Sequence, residues 1–575
     1  MKPKKFILLL IIIILPFLLI KCMKKDMNNA ADLVLLNGNV VTMDDSNMYA
    51  EAVAIKGNKI LSVGSAEEVE KLIGDSTEVI DLDGKFVMPG FIESHAHLIG
   101  LGESLVNIDL KNARNWDDII KLIADAAKNT KPGEWIIGRG WHQEKFNSKP
   151  QPNVNGYPVH DKLSEVTPNN PVILFHASGH AIFANAKAMQ IAHVDKNTKN
   201  PNGGTIVRDK LGNPVGVFEE NAEQLITKFY EEYLEKRTAE QIYSDYKRKI
   251  QLAVDECIKK GVTSFHDAGE TFEIIEIIKQ LVDSSKIPIR LYVMINEPVH
   301  KLQDYILKDY KLTGYGNNHL TVRSIKQYID GALGSRGAWL LEPYSDLPNH
   351  FGSNVTPIQD LEKICELAIK NDFQMCIHAI GDKGNREVLN LYEKIFKKFP
   401  DKKDLRWRIE HAQHLSSQDI NRFSKLGIIA AMQGIHCTSD AAFVIERLGE
   451  KRAREGAYAW KKLIDNGTII CNGTDAPVED VDPIKNFYTT VTRKTSIGSY
   501  FYPEQKMTRL EALKSYTING AYASFQENLI GSISIGKLAD IVVLSNDLLN
   551  CSDEEILSTK VLYTIVDGKI LYRTK

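Results

Sequence analysis

The sequence predicts an α/β protein, a (β/α)8 TIM-like barrel with a small β-sandwich domain built from both chain termini. Three observations predict it. From about residue 87 to 529, apolar β-prone runs alternate with amphipathic stretches, as in IQDLEKICELAIKN before DFQMCIH and SSQDINRFSKLG before IIAAMQG. Such alternation implies a parallel sheet, and at this length a barrel. Both ends of the chain are β-rich and lack helical periodicity. Finally, His95-Ala96-His97, Lys326, His378, His411 and Asp475 each lie in or at the end of a short β-prone run. That order suits a parallel barrel, whose functional groups sit at the C-terminal ends of the strands.

A chain of 575 residues is too long for one compact core, so two or three domains are expected. The balance of 71 Lys+Arg against 74 Asp+Glu gives no footprint for nucleic acid. The first segment, 1–25, is different in kind. Lys2, Lys4 and Lys5 precede an apolar run from Phe6 to Ile20, shorter than the ~20 residues of a spanning helix but suited to a signal-peptide core. Leu19-Ile20-Lys21-Cys22 resembles a lipobox and departs from it at Lys21, where a small residue is usual. Cleaved and acylated at Cys22, or kept as an uncleaved anchor, this segment predicts an exported, membrane-associated protein of the cell envelope. The globular part then starts near Ala30.

Residues 31–86 read as short strands joined by Asn-Gly and Gly-Asn hairpin signals, and 530–575 repeat the style in GKLADIVVL and VLYTIVDGKILYR. These two pieces form the expected sandwich, with the barrel of 87–529 inserted between them. Within the barrel, 141–235 hold Pro- and Asn-rich turns and the hairpin-like GGTIVRDKLGNPVGVF. They read as an insertion over the barrel mouth that contributes to substrate recognition. Cys257, Cys365, Cys376, Cys437, Cys471 and Cys551 form no CxxC pair and read as core thiols. There is no GxGxxG and no GxxxxGK[ST], so no nucleotide or organic cofactor is expected.

The ligand chemistry follows from spacing. Residues two apart in a strand share a face, so His95 and His97 can grip one ion together. Neutral imidazoles and carboxylates suit zinc or a similar first-row divalent ion. His378, His411 and Asp475 extend the set, and Lys326 stands among them.

The chain resembles the metal-dependent amidohydrolase superfamily, in its amidohydrolase-3 branch of YtcJ-like and N-substituted formamide deformylase-like proteins. The motifs are PGFIESHAH (89–97), SGHAIFANAKAM (178–189), GVTSFHDAG (261–269), IKQYIDGALGSRGAWLLEPY (325–344), IHAIGDKGN (377–385), RIEHAQHL (408–415), MQGIHCTSD (432–440), NGTDAPVEDVDP (472–483) and GKLADIVVL (536–544). Glu93 departs from the pattern, where the family usually has Asp.

The resemblance implies that His95 and His97 hold one metal, with Asp475 as its carboxylate ligand and as general acid/base. His378 and His411 hold a second metal where there is one, and Lys326 is a carboxylated bridge or a plain cationic contact. One or two divalent ions per chain, zinc first, are the implied cofactor. Metal coordination lowers the pKa of water toward ~7, and Asp475 passes its proton to a leaving nitrogen. The implied activity is hydrolysis of a non-peptide carbon–nitrogen bond in a small amide, N-substituted formamide or cyclic amide. His176, His180, Asn185, His266, Asp330, Arg336 and His436 are expected around this small-molecule substrate. The competing readings are ester hydrolysis or deamination at the same site, or an inactive tethered binding protein. The oligomeric state stays open, a homo-oligomer included.

Overall fold

Eight strands form the barrel in the computed structural model, which describes residues 30–574 except 144–145, 178–180, 202–203 and 305–306. The apolar run of 6–20, Cys22 and His180 therefore lie outside the described residues. The strands are β1 (Phe91–Ala96), β2 (Val262–Glu270), β3 (Arg290–Ile295), β4 (Leu320–Tyr328), β5 (Gln374–Ala379), β6 (Arg408–His411), β7 (Ile429–Gln433) and β8 (Ile470–Gly473). Each pairs in parallel with the next in chain order. The strands are covered on both faces and read as near-continuous apolar runs, RLYVMI and IAAMQ among them.

The seam between β8 and β1 closes the circle. Asp475 N–H donates to His95 O at 2.8 Å, and His97 N–H to Ala476 O at 2.8 Å. Glu93 spans the same seam. Its Oε1 accepts the N–H of Thr474 at 2.8 Å and of His95 at 3.1 Å, and its Oε2 accepts the Thr474 hydroxyl at 2.9 Å. Burial pushes this carboxyl up to about 8, against the pull of those donors.

The outer helices begin where the sequence offers caps. Thr238 and Gln241 form a capping box ahead of Ala239–Lys259, and Thr271 caps Phe272–Asp283. Ile275, Ile278 and Leu281 of the latter turn one buried stripe inward.

The two termini build a pair of facing sheets. One holds Leu33–Leu36, Ala52–Lys56, Lys59–Gly64 and Glu78–Asp81. The other joins Asn39–Val41, Tyr49–Ala50 and Phe86–Pro89 to the C-terminal Ile541–Leu544, Val561–Val566 and Lys569–Arg573. Leu35, Val53 and Ile55 of the first pack with Val87, Ile541 and Val543 of the second. Arg290, buried at the start of β3, fastens this unit to the barrel. It donates to Asp540 at 2.6 and 2.9 Å and to Asp567 at 2.6 Å.

A third sheet of six strands stands apart from the barrel, in the order Gly204–Arg208, Pro214–Glu220, Ala181–Ala184, Val172–His176, Ile136–Trp141, Ile108–Asp109. Here the structure corrects the sequence reading. The helix Trp116–Ala127 and the strand Ile136–Trp141 look like a barrel unit, yet they belong to this sheet, which starts at Ile108 rather than 141. A parallel strand after an amphipathic helix has the same pattern whichever sheet it joins, because period and burial are local while sheet membership is not.

Candidate metal centre

The barrel brings the strand-end residues to one point. His95 lies near the end of β1 and His97 just beyond it, Lys326 and His378 near the ends of β4 and β5, His411 at the end of β6, and Asp475 two residues past β8. Nitrogen and oxygen atoms of His95, His97 and Asp475 all lie within 4.8 Å of one another, as do those of His411, His436 and Asp475. Asp475 Oδ1 is 3.3 Å from His97 Nε2 and 3.6 Å from His95 Nε2. The His411 ring centre is 4.7 Å from that of His95 and 4.5 Å from that of His378. Lys326 Nζ sits 3.4 Å from Ala268 O and 4.5 Å from the Tyr328 ring centre. His97, Lys326, His378, His411, His436 and Asp475 line one cavity of about 700 Å3.

The backbone is strained at two of these residues. His411 has φ 71° and Asp475 φ 58°, in the left-handed region. Such a position costs of order 1–3 kcal/mol in a non-glycine residue and concentrates at functional sites.

Burial, and then the Lys326 charge, hold His95 down at about 4 and His378 at about 3. Burial and the neighbouring His378 and His95 put His411 well below its ordinary value. These rings are neutral at neutral pH, the form that ligates. Burial would raise Asp475, but His97, His95 and His411 outweigh it and hold the carboxylate well below its usual range. His95 Nε2, His378 Nε2, His436 Nε2 and Asp475 Oδ1 are buried with no hydrogen-bond partner. Buried polar atoms are normally satisfied. Four orphaned donor atoms, three of them imidazole nitrogens and one on an anionic carboxylate, therefore fit a divalent ion of the zinc type.

The ring orientations have their own supports, which spacing did not reveal. His95 Nδ1 is bonded to Glu410 Oε2, and Glu410 is held by Arg408. His411 Nδ1 bonds Gln433 Oε1 at 2.7 Å. Both supports were in view inside RIEHAQHL and MQGIHCTSD, but nothing local says which distant ring they serve.

The expected substrate residues divide. His436 and Arg336 line the cavity, with Arg336 donating to Asp346 at 2.6 Å. Asp330 stands behind it, accepting the N–H groups of Trp339, Gly381 and Ile380 at 2.8, 2.8 and 3.0 Å, with His378 Nε2 at 3.7 Å. Burial raises it to about 7. Three backbone donors make it the organiser of the loop after β4, not a cavity group. His266 is buried inside the barrel against Arg408 and Tyr292. Asn185 caps the helix Ala186–Ile191, and its amide donates to Thr167 and Asn170. His176 packs on Trp141 in the third sheet and bonds Gln143 at 3.1 Å. These three are therefore not brought to the cavity. Residues not anticipated do line it: Glu220 of the third sheet, Gln413, Asp440, Phe443 and Glu479.

The barrel and this donor set at its C-terminal mouth define the class, a metal-dependent hydrolase. A profile of the amidohydrolase family matches residues 78–572, and the chain belongs to that family, in the branch that includes YtcJ and N-substituted formamide deformylase. It is 34% identical over 556 residues to the protein LONG AFTER FAR-RED 3 of Arabidopsis thaliana, covering 94% of this chain and 92% of the relative. It is 31% identical over 544 residues to YtcJ of Bacillus subtilis, covering 93% and 98%. It is 29% identical over 556 residues to N-substituted formamide deformylase of Arthrobacter pascens, covering 95% and 99%. Among solved structures, an uncharacterised metal-dependent hydrolase from Pyrococcus horikoshii superposes with a TM-score of 0.73 at 26% identity, covering 91% of this chain and 99% of that one.

Proposed function

We propose that the protein hydrolyses a non-peptide carbon–nitrogen bond in a small substrate, an N-substituted formamide, amide or cyclic amide. Asp475 carries the reading. Its carboxylate is anionic, strained into place, and shared between two groups of histidines at the base of the barrel mouth. The similarity to N-substituted formamide deformylase along nearly the whole chain supports the substrate class.

His95, His97 and Asp475 would hold one divalent cation, and His378 and His411 a second, with Lys326 between them. When bound, zinc or a similar ion supplies Lewis acidity toward a carbonyl and acidifies water. Asp475 accepts the proton of the attacking water and returns it to the leaving nitrogen, so that one carboxylate serves both half-steps. Lys326 is buried among the histidines, where an ammonium beside a divalent cation is disfavoured. Carbon dioxide added to the neutral amine, with loss of a proton from Nζ, would turn it into an anionic oxygen donor; without that addition Lys326 is a cationic contact. Leu333, Phe443 and Val478 give the cavity an apolar wall for the substituent on nitrogen.

The test is formate release from N-butylformamide by protein loaded with zinc, beside elemental analysis of metal per chain. Turnover that Asp475→Asn abolishes while metal is retained supports the reading. Turnover of esters or aminopurines, with none of any amide or formamide, overturns it.

We also propose that the protein is exported and held at the membrane of the cell envelope. The basic and apolar pattern of residues 2–25 supports this. Among the described residues no helix is long and apolar enough to cross a membrane. Recovery of the full chain in the soluble cell fraction would sink this placement.

A further inference from the structure

Two histidines of the cluster are oriented by different chemistry. His95 Nδ1 meets the carboxylate of Glu410. Arg408 grips that carboxylate from the other side, Nε to Oε1 at 2.7 Å and Nη2 to Oε2 at 2.8 Å. All three side chains are fully buried. Arg408 Nη2 also donates to Ser94 O at 2.7 Å, one residue before His95, which ties the support to the strand it serves. His411 Nδ1 has instead the neutral amide oxygen of Gln433, at 2.7 Å, and Gln433 Nε2 is spent on Ala431 O at 3.3 Å. In both rings Nδ1 is tied, which leaves Nε2 toward the cluster, and His95 Nε2 has no partner there.

A carboxylate on the distal N–H fixes the tautomer and also makes the ligating nitrogen more basic, whereas an amide only fixes the tautomer. Asp475 lies within ligand distance of His95 and His97 and of His411, so its charge reaches both positions.

We infer that Arg408 and Glu410 are positioning residues that make the His95, His97, Asp475 group the tighter of two divalent-cation positions, while Gln433 leaves the position of His378 and His411 weaker and exchangeable. This rests on the reading of the cluster as a metal centre.

The experiment is a titration of metal-stripped full-length protein with zinc against a chromophoric chelator, for wild type, Glu410→Gln and Gln433→Glu. In wild type, two unequal dissociation constants are expected. Glu410→Gln should weaken the tighter one by about 10–100-fold and move the weaker one by less than about threefold, and Gln433→Glu should tighten the weaker one by about tenfold. Equal constants in wild type overturn the inference, as does a Glu410→Gln shift confined to the weaker position. A single detectable ion leaves no second position to rank and overturns the inference. Circular dichroism checks folding, because Glu410→Gln leaves Arg408 buried without its counter-charge. If that variant fails to fold, Gln433→Glu decides alone, and absence of tightening overturns the inference. No bound zinc in wild type is a different failure, that of the metal centre itself.

Discussion

At the scale of single residues, the proposed chemistry concentrates in Asp475. Its carboxylate meets both histidine groups, and its backbone is held at φ 58° by the seam. Asp475→Asn keeps the shape and removes the proton acceptor, so kcat should fall by about 10²–10⁴-fold. Steady-state kinetics with metal analysis of the same sample checks it, because loss of activity through lost metal would appear as reduced occupancy. The convergence of these side chains was legible in sequence. A histidine pair two apart in a β-prone run declares a shared face, and the remaining ligands close further runs in barrel order. Glu410 was not legible as a support, since it lies 315 positions from His95 and only the barrel joins them. Asn185 misled for the opposite reason. Its motif is a family signature, but its side chain is spent on a helix cap and on buried carbonyls.

At the scale of elements, the seam between β1 and β8 is the vulnerable joint. Gly473 ends β8 where the first strand comes closest. A Cβ there would stand 2.3 Å from Glu93 Oε1, 2.5 Å from His95 N and 2.8 Å from His95 O. Two of these are backbone atoms and cannot rotate away. Gly473→Ala should therefore displace the first ligand strand, lowering the melting temperature and metal occupancy together. Thermal unfolding of the metal-stripped variant separates the two effects, and a variant that melts as wild type in both states would show that the seam relaxes at no cost. The alternation of strands and helices was enough to foresee the barrel. It was not enough to place Ile136–Trp141, whose pairing with Val172–His176 is a tertiary fact.

At the scale of the molecule, two buried charges, Arg290 and Asp540, and the half-buried Asp567 couple the barrel to the terminal sheets. Arg290 leads β3, while Asp540 and Asp567 come from the C-terminal part of the chain. Asp540 belongs to GKLADIVVL, which reads in sequence as a turn and a strand without chemistry, and its partner lies 250 positions away. Removing one member of a buried ion pair leaves the others uncompensated, at about 3–5 kcal/mol, so Arg290→Ala should unfold more readily than an Arg290, Asp540, Asp567 triple substitution to apolar residues. Chemical denaturation of the two variants compares them directly.

The same clamp sets a pH dependence. Burial would raise the Asp567 carboxyl, but the hydrogen bond from His319 and the Arg290 guanidinium outweigh it and hold it at about 2. A carboxyl unfolds to a value near 3.9, so its folded value is depressed. Its contribution is then complete above that unfolded value and is lost as pH falls from about 4 through 2, where the native state must take up the proton. The depression corresponds to roughly 2 kcal/mol at neutral pH. Asp567→Asn should be less stable than the natural chain at pH 6, and the gap should close progressively below pH 4. Unfolding free energies of both proteins between pH 6 and 2 read this out. A gap that stays constant across that range would mean that Asp567 titrates alike in the folded and unfolded chain, and that Asp540 alone anchors Arg290.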